Sequence, residues 1–486
     1  MMRIGLKASL LAVACPIAWF AATPAAADTL REALAQAYAS NPQLEAARAQ
    51  QRATDESVVI QRAGALPSAD VSGSFTEFVK QSSTSFTSPE RSISANLNLG
   101  APIYSGGSVR NGILAAENRI EAGRADLRGT ESALFSQVVA AYMDVIRGEA
   151  IVGLSRNNVQ VLSVNLEATS DRFEIGDLTR TDVAQSASRL ALARSDLQSA
   201  EANLSIAREN YVALVGDAPD GLEPPPPLPG LPASVIEAED TALENNPDLI
   251  AARERAEASG FDIRVAGAGR MPRLEAFASS GYQNFLGTLG SIPGTGAASQ
   301  VSTSAQAGLR LSLPLFQGGR VAAQQRQAQQ QSLALLEQAI GTERNVLAQV
   351  RGAWASWRAA NGIIASTQSA VDAAELSLEG VRAENSIGNR QILDVLNAEQ
   401  ELLAARVQLV TARRNEYVAG FTLLAAMGRA EARDLGLESQ GVLYDPVANY
   451  DRVRNIIWDW QRDPDPIATS TRTVDIPAQG GDIPED

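Results

Sequence analysis

The 486-residue chain carries 41 basic and 56 acidic side chains, one cysteine (Cys15) and no histidine, for a formal charge of −15. Ser-His and Cys-His catalysis and imidazole or thiolate metal sites need side chains that are missing beyond residue 27. So acidic a chain has no electrostatic reason to hold nucleic acid, and no enzyme activity, cofactor or metal is expected.

Residues 1–27 read as a signal peptide. Arg3 and Lys7 form a basic start, Leu10 to Phe20 an apolar stretch too short to span a bilayer, and Ala25-Ala26-Ala27 the small residues of a cleavage site. Acylation at Cys15 is a competing reading, disfavoured by Ala12 three residues before it and Pro16 after it. Cleavage before Asp28 removes the only thiol and takes the formal charge to −17. No later segment reads as a transmembrane helix.

The remainder is a tandem duplication. Asn41-Pro42-Gln43-Leu44-Glu45-Ala46-Ala47-Arg48 recurs 205 residues later as Asn246-Pro247-Asp248-Leu249-Ile250-Ala251-Ala252-Arg253. Pro102-Ile103-Tyr104-Ser105-Gly106-Gly107 recurs 212 residues later as Pro314-Leu315-Phe316-Gln317-Gly318-Gly319. The second offset then holds for Ile175-Gly176 and Ile387-Gly388, for Asp182-Val183 and Asp394-Val395, and for Gly216 and Gly428. Repeats of this kind decide the fold before any local reading. The expected organisation is a first repeat over residues 28–220, a Pro-rich linker over 221–233, a second repeat over 234–430, a post-repeat equatorial segment over 431–463 and a disordered tail over 464–486.

Within each repeat the elements come in one order. Leu30 to about Arg62 reads as a half-length helix, followed by strands near Val71–Phe75 and Ser92–Leu99. The loop Gln81–Pro89 between them is rich in Ser and Thr. Strict alternation over Ser92-Ile93-Ser94-Ala95-Asn96-Leu97-Asn98-Leu99 suits a lipid-facing strand. From about Gly107 to Glu174 no proline interrupts a run rich in Ala, Leu, Gln, Arg and Glu. Nearly 70 residues of helix would extend on the order of 100 Å. A seam at alternating spacings of four and three runs through Leu134, Val138, Ala141, Val145, Gly148, Val152, Ser155, Val159, Leu162 and Leu166. A returning helix, Thr181–Val215, is half as long. The second repeat repeats the series, with strands near Leu274–Gly281 and Val301–Leu313, the loop Gly287–Gln300, and a seam from Val346 through Val350, Ala360, Val371 and Ala374 to Leu378. Two half-length helices stacked end to end would match each long one. The fold class expected is mainly α with membrane β: a tandem-repeat coiled-coil tunnel plus four strands per chain. Four strands cannot close a barrel in lipid, so two chains would supply eight and three would supply twelve, the first number to leave a wide lumen.

This pattern resembles the TolC family of outer-membrane efflux and type I secretion channels over nearly all of residues 28–430. The resemblance rests on the duplicated halves, the Asn-Pro near each start, the strand-to-helix turns Pro102-Gly106-Gly107 and Pro314-Gly318-Gly319, and the Gly then Asp-Val after each long helix. It implies a homotrimer in the outer membrane: a twelve-stranded barrel on an α-helical tunnel crossing the periplasm. It also implies partners, a periplasmic adaptor meeting the tip turns at Gly176 and Gly388 and an inner-membrane transporter of ABC or RND type. Arg390 matches the family's gating arginine, Thr181 and Asp182 the groups it holds when closed, and Asp394 the first acidic position of the constriction. Asn397 stands where a second constriction aspartate is familiar, and Asn385 where a gating tyrosine is, so a weaker acidic ring is expected.

The stretch Tyr444-Asp445-Pro446-Val447-Ala448-Asn449-Tyr450-Asp451-Arg452-Val453 resembles the ending of secretion-type members and favours type I secretion over dedicated multidrug efflux. A periplasmic coiled-coil adaptor is the competing class. It would carry one helical hairpin between β domains, not two copies of a strand-plus-helix unit.

Overall fold

The computed structural model describes residues 29–81, 89–290, 298–439, 441 and 443–483. The expected signal peptide and the middles of both strand-connecting loops lie outside the described residues. In the first repeat, α1 (Leu30–Ser40) and α2 (Pro42–Ala63) lead into β1 (Ser68–Glu77) and β2 (Arg91–Tyr104), then α3 (Ser108–Glu174) and α4 (Arg180–Val215). The second repeat follows the same order: α5 (Val235–Asn245), α6 (Pro247–Gly267), β3 (Arg273–Asn284), β4 (Val301–Ser312), α7 (Arg320–Ser386) and α8 (Ile392–Ala426). A short α9 (Ala448–Val453) comes last. The long helices α3 and α7 have 67 residues each, on the order of 100 Å, and among the described residues no helix is long and apolar enough to cross a membrane.

The four strands form one antiparallel sheet in chain order, so β2 pairs with β3 across the two repeats. The register brings the alternation of all four strands onto common faces. Val71 pairs with Leu97, Phe75 with Ile93, Leu99 with Ala278, Ala276 with Leu309 and Leu274 with Leu311. Paired residues point the same way, so one face is apolar. On the opposite face Ser74 meets Ser94, Asn98 donates to Asp70 and Gln306 donates to Ser279. Pro102 was expected to end the second strand, yet β2 continues to Tyr104. The last β1–β2 pair is Ser68 with Gly100, so Pro102 lies where only β3 remains, and the register shifts between it and Tyr104. A proline is tolerated at such a bulge. The shift pairs Tyr104 with Leu274 and so turns the tyrosine to the apolar face.

The half-length helices do stack end to end, and the duplicated Asn-Pro makes the joint. The expected single opening helix is broken at Asn41, whose extended backbone (φ −71°, ψ 125°) is what a residue before proline prefers. Its side-chain oxygen accepts the Gln43 N–H at 2.9 Å and its amide donates to Leu214 O, at the end of α4, at 2.9 Å. Asn246 repeats the device, accepting from Leu249 N–H at 3.2 Å and donating to Ala426 O, at the end of α8, at 2.9 Å. At the second joint Gly428, at φ +72°, comes so close that a Cβ would lie 2.3 Å from Asn245 O. Each chain thus contributes four helix columns: α4 with α2, then α3, then α8 with α6, then α7.

The thickest core sits at this equator. Phe135, Val138, Tyr142 and Val145 of α3 pack there with Leu34, Leu204, Tyr211, Phe421 and Leu424. The seam residues Val152, Leu162, Val350, Val371 and Leu378 are buried as the heptad spacing predicts. Gly148 is small for a reason: its Cβ would stand 3.0 Å from Leu204 Cδ1. The Pro-rich linker lies across the equator, held by Tyr142 Oη donating to Glu223 O at 2.7 Å and Tyr417 Oη donating to Pro226 O at 3.2 Å.

Beyond the repeats, the chain is bound rather than loose. Arg128 pairs with Glu431 at 2.6 Å, Tyr444 N–H donates to Tyr38 Oη at 2.9 Å, and Asn449 donates to Asp55 at 2.8 Å. The tail expected to be disordered is held as far as it is described: Ser205 and Arg208 donate to the carbonyls of Gln479 and Gly480, and Ile483 packs on the equatorial core. Few of its side chains are apolar, so composition pointed to disorder, whereas its ordering comes from backbone carbonyls offered to side chains of α4.

Two measurements test this account. Asn246→Ala should cost about 1–2 kcal/mol of stability, since it removes a helix cap and leaves a carbonyl unpaired. Asn41→Ala should cost a similar amount, and the pair should add in a denaturant titration because the sites are far apart. A second test concerns Glu131, which accepts the Ala432 N–H. Burial pushes its carboxyl from 4.5 up to about 7, with Glu431 and Asp434 adding to the effect and the Ala432 bond and Arg48 opposing it. The folded chain therefore binds more protons than the unfolded one between these values, and stability is lost as pH rises through them. Glu131→Gln should flatten that slope, on the order of 2–3 kcal/mol in all, in unfolding curves recorded from pH 4.5 to 8.

Candidate functional site

At the end of each repeat farthest from the strands, a long helix turns into a half-length one. Gly176 (φ +83°) and Gly388 (φ +82°) supply the left-handed residue that ends α3 and α7. Gly176 N–H donates to Phe173 O and Asp177 N–H to Arg172 O, both at 2.9 Å. Gly388 N–H donates to Asn385 O at 3.0 Å and Asn389 N–H to Glu384 O at 2.9 Å, the same pattern. No atom lies within 4 Å of where either glycine would carry a Cβ, so within the chain they serve backbone conformation and not close packing. The preceding Ile175 and Ile387 are 80 % and 71 % exposed. These two apolar side chains at matching places are functional candidates that a reading centred on the glycines passed over, though the duplicated Ile-Gly pair signalled them.

The half-length helices start by local capping. Thr179 Oγ1 accepts from Asp182 N–H at 3.3 Å, and the Asp182 carboxylate accepts from Thr179 N–H and Oγ1 at 2.8 and 2.7 Å. Those bonds hold the Asp182 carboxyl below its usual range. Asp394 plays the same part in α8, accepting the Gln391 N–H at 3.2 Å. Asn385 donates to Arg390 O at 2.8 Å, bracing the turn. Arg390 donates to Glu384 at 2.7 Å, and that bond, with the Asp394 charge behind it, raises the guanidinium pKa further. The expected grouping of Arg390 with Thr181 and Asp182 is therefore not made within the chain. Asp182 is engaged by Thr179 and Arg390 by Glu384, partners a few residues away whose pairing orders little extra chain. Thr181 is exposed on the first turn of α4.

Closer to the equator the two helical hairpins are tied together. Leu396 of α8 is buried against Leu162 of α3 and Leu190 and Ala193 of α4. One turn on, the Glu399 carboxylate, 7 % exposed, accepts from Asn165 of α3 at 3.1 Å and from Arg382 of α7 at 2.9 Å. Arg189 of α4 donates to Asn397 at 2.8 Å and to Gln400. Asn397, expected only as a position facing the lumen, is thus also a link between hairpins. Higher still, Arg414 makes two 3.0 Å bonds to Asp144. A buried carboxylate shared by three helices is a firm tie while both donors remain; on its tip side the Leu396 packing and the Arg189–Asn397 bond still join the hairpins, and beyond them the turns are held by short-range contacts. Glu399→Ala should therefore speed amide exchange around residues 160–170 and 392–402 while leaving the strands unchanged; acceleration spread evenly over the whole chain would contradict this.

The strand-to-helix turns sit at the other end. Gly107 (φ +83°) and Gly319 (φ +80°) precede α3 and α7 in the left-handed conformation, as do Gly106 (φ +68°) and Gly318 (φ +59°) before them. At Gly106 a Cβ would also lie 2.6 Å from Met271 Cβ. Pro314 lies just beyond β4.

With this geometry in place, three comparisons bear on it. The outer membrane efflux protein BepC of Brucella suis biovar 1 is 32 % identical over 441 residues, covering 91 % of this chain and 93 % of that one. The outer membrane protein TolC of Escherichia coli is 28 % identical over 438 residues, covering 87 % and 86 %. The crystal structure of the outer membrane protein VceC from Vibrio cholerae superposes with a TM-score of 0.69 at 25 % identity, over 82 % of this chain and 96 % of that one. Residues 33–217 and 239–429, nearly the whole of both repeats, match the family described as outer membrane efflux protein. The chain belongs to the outer membrane efflux protein family: it is an outer-membrane channel protein with a helical tunnel reaching into the periplasm.

Proposed function

We propose that three copies close a twelve-stranded barrel on a twelve-column tunnel whose tip docks with a periplasmic adaptor and, through it, an inner-membrane transporter, to export both proteins and small toxic compounds. The observation that carries this reading is the sheet, with one face mainly apolar, the other polar and carrying charges of both signs, and two open edges. Three sheets reach the strand number at which a barrel begins to hold a lumen. At the other end, Ile175 and Ile387 offer apolar side chains to a partner helix, and the glycines beside them let its backbone approach.

The lumen face also argues about cargo. Ser72, Ser94, Asn96 and Gln306 line it with hydroxyls and amides, while Asp70, Glu275 and Arg310 add charges of both signs, so the face favours no single cargo and choice falls to the transporter. The stretch Tyr444–Val453, which favoured type I secretion, is in the structure a strut packed on α2, with Asn449 on Asp55. It therefore supports secretion no more than efflux of small compounds. Deleting the gene should both reduce the secreted proteome and sensitise cells to dyes and detergents; lost resistance with unchanged secretion would confine the channel to drug efflux.

In this reading Thr181, Asp182, Arg390, Asp394 and Asn397 ring the aperture, and the exposed Arg390–Glu384 bond exchanges for contacts with a neighbouring hairpin when the tip closes. Asp394 supplies one carboxylate per chain. Asn397 adds none, and its oxygen already accepts from the cationic Arg189. Planar-bilayer recordings should show modest cation selectivity and weak block by multivalent cations, with Asn397→Asp strengthening both. Strong selectivity in the unaltered channel, indifferent to that substitution, would defeat the assignment of this ring.

A further inference from the structure

The post-repeat segment ends in an exposed aromatic loop whose place in the fold identifies what it meets. From the equator the segment climbs α2: Tyr444 is bonded to Tyr38, Asn449 to Asp55, and Arg62 in the last turn of α2 donates to the Arg454 carbonyl at 2.5 Å and to Asn455 at 3.3 Å. There the chain doubles back. Arg452 closes the loop with two 2.9 Å bonds to Asp463, and Gln461 N–H donates to Trp458 O at 3.1 Å. On the loop so closed, Ile457, Trp458 and Trp460 are 68 %, 68 % and 85 % exposed.

The height of this loop follows from what α2 touches. Gly64, just past its end, lies against Val109 in the first turn of α3, a Cβ there standing 3.3 Å from Val109 Cγ2. Tyr104, at the foot of the apolar sheet face, is five residues before Val109. The loop therefore stands at the foot of the membrane sheet, alongside Tyr104 and the exposed Leu315 and Phe316 that follow β4. A tryptophan has a broad apolar ring and one N–H, and it gains most where one side is hydrocarbon and the other wet. Charge adds nothing: Arg452 is paired with Asp463 and Arg454 with Asp451, and Asp459 offsets Arg462. A neutral aromatic loop suits phospholipid without an anionic headgroup requirement.

We propose that Ile457, Trp458 and Trp460 form an anchor seated in the periplasm-facing phospholipid leaflet of the outer membrane. It fixes the post-repeat strut, and with it α2, to the bilayer at the junction of barrel and tunnel. The proposal rests on the outer-membrane placement of the sheet and not on any cargo or adaptor.

The test uses the purified mature channel, cleaved before Asp28 and so without Trp19, in phosphatidylcholine vesicles, some made with lipid brominated near the top of the acyl chains and some with lipid brominated near the bilayer centre. In Trp354→Phe/Trp357→Phe protein only Trp458 and Trp460 emit; should that variant misassemble, the difference between the unaltered protein and Trp458→Phe/Trp460→Phe isolates the same signal. The shallow bromines should quench the emission more strongly than the deep ones, as for aromatic residues seated at an interface, and added salt should change neither. Two results would overturn the anchor in a channel that still conducts. Quenching by aqueous iodide but by neither lipid would leave the rings in water, and quenching by none of the three would place them under a neighbouring subunit. Because conductance is read in the same vesicles, failure of the anchor is distinguishable from failure of the channel.

Discussion

Backbone groups on a strand edge cannot be left unpaired in hydrocarbon, where each costs several kcal/mol and no water is at hand. The sheet ends at β1 and β4, so every chain presents two such edges and must meet another copy of itself. From that requirement the rest follows. Copies joined edge to edge place their strand-to-helix turns on a circle, each long helix continues down from a strand pair, and the half-length helices fill the columns between. The β2–β3 pairing is the intrachain form of the same contact. It carries the duplication across the sheet, so the two repeats are neighbours in the barrel as well as in sequence.

Below the membrane the wall is one helix thick and wet on both sides, which limits how much apolar surface any one seam can bury. Small residues answer this by letting axes approach, as where Gly148 takes the side chain of Leu204. The equator escapes the limit: α1 and α5 lie over the wall, the Pro-rich linker is pinned by a tyrosine from each repeat, and the tail folds back along α4. Aromatic packing collects there (Phe135, Tyr142, Tyr211, Phe421), and the tip is left with a small apolar cluster around Leu396, one shared carboxylate, the Arg189 bonds and short capping bonds. Stability is concentrated away from the tip.

The architecture was legible because its signals are periodic. Alternation in β2 and β4, a heptad seam without proline and a duplicated turn each recur, and the register of the sheet agrees with both alternating strands. What escaped were features resting on single pairings. The break at Asn41 is written in Asn-Pro, but its amide bond to Leu214 spans 173 residues and has no local signature. The tail looked disordered because composition reports side chains, whereas its ordering uses main-chain carbonyls. At the tip, family likeness drew attention to Arg390 and Asp182 as a pair. The chain satisfies each with a nearer partner, Glu384 and Thr179, and ties its hairpins instead through Leu396 and Glu399, residues that look like ordinary seam positions.

The end-to-end joints give the tunnel an uneven skeleton. Two of its four columns per chain, α3 and α7, are unbroken spars from membrane to tip. The other two are spliced at the equator through an asparagine amide, joined at the first splice by the Ser40 hydroxyl on Val215 O, and by van der Waals contacts. A spliced column transmits compression but little torque, so a twist applied at the tip is spent in shear at Asn41 and Asn246 before it reaches the sheet. A wall of four continuous helices would instead carry any twist of the tunnel mouth straight into the hydrogen-bond ladder of the strands.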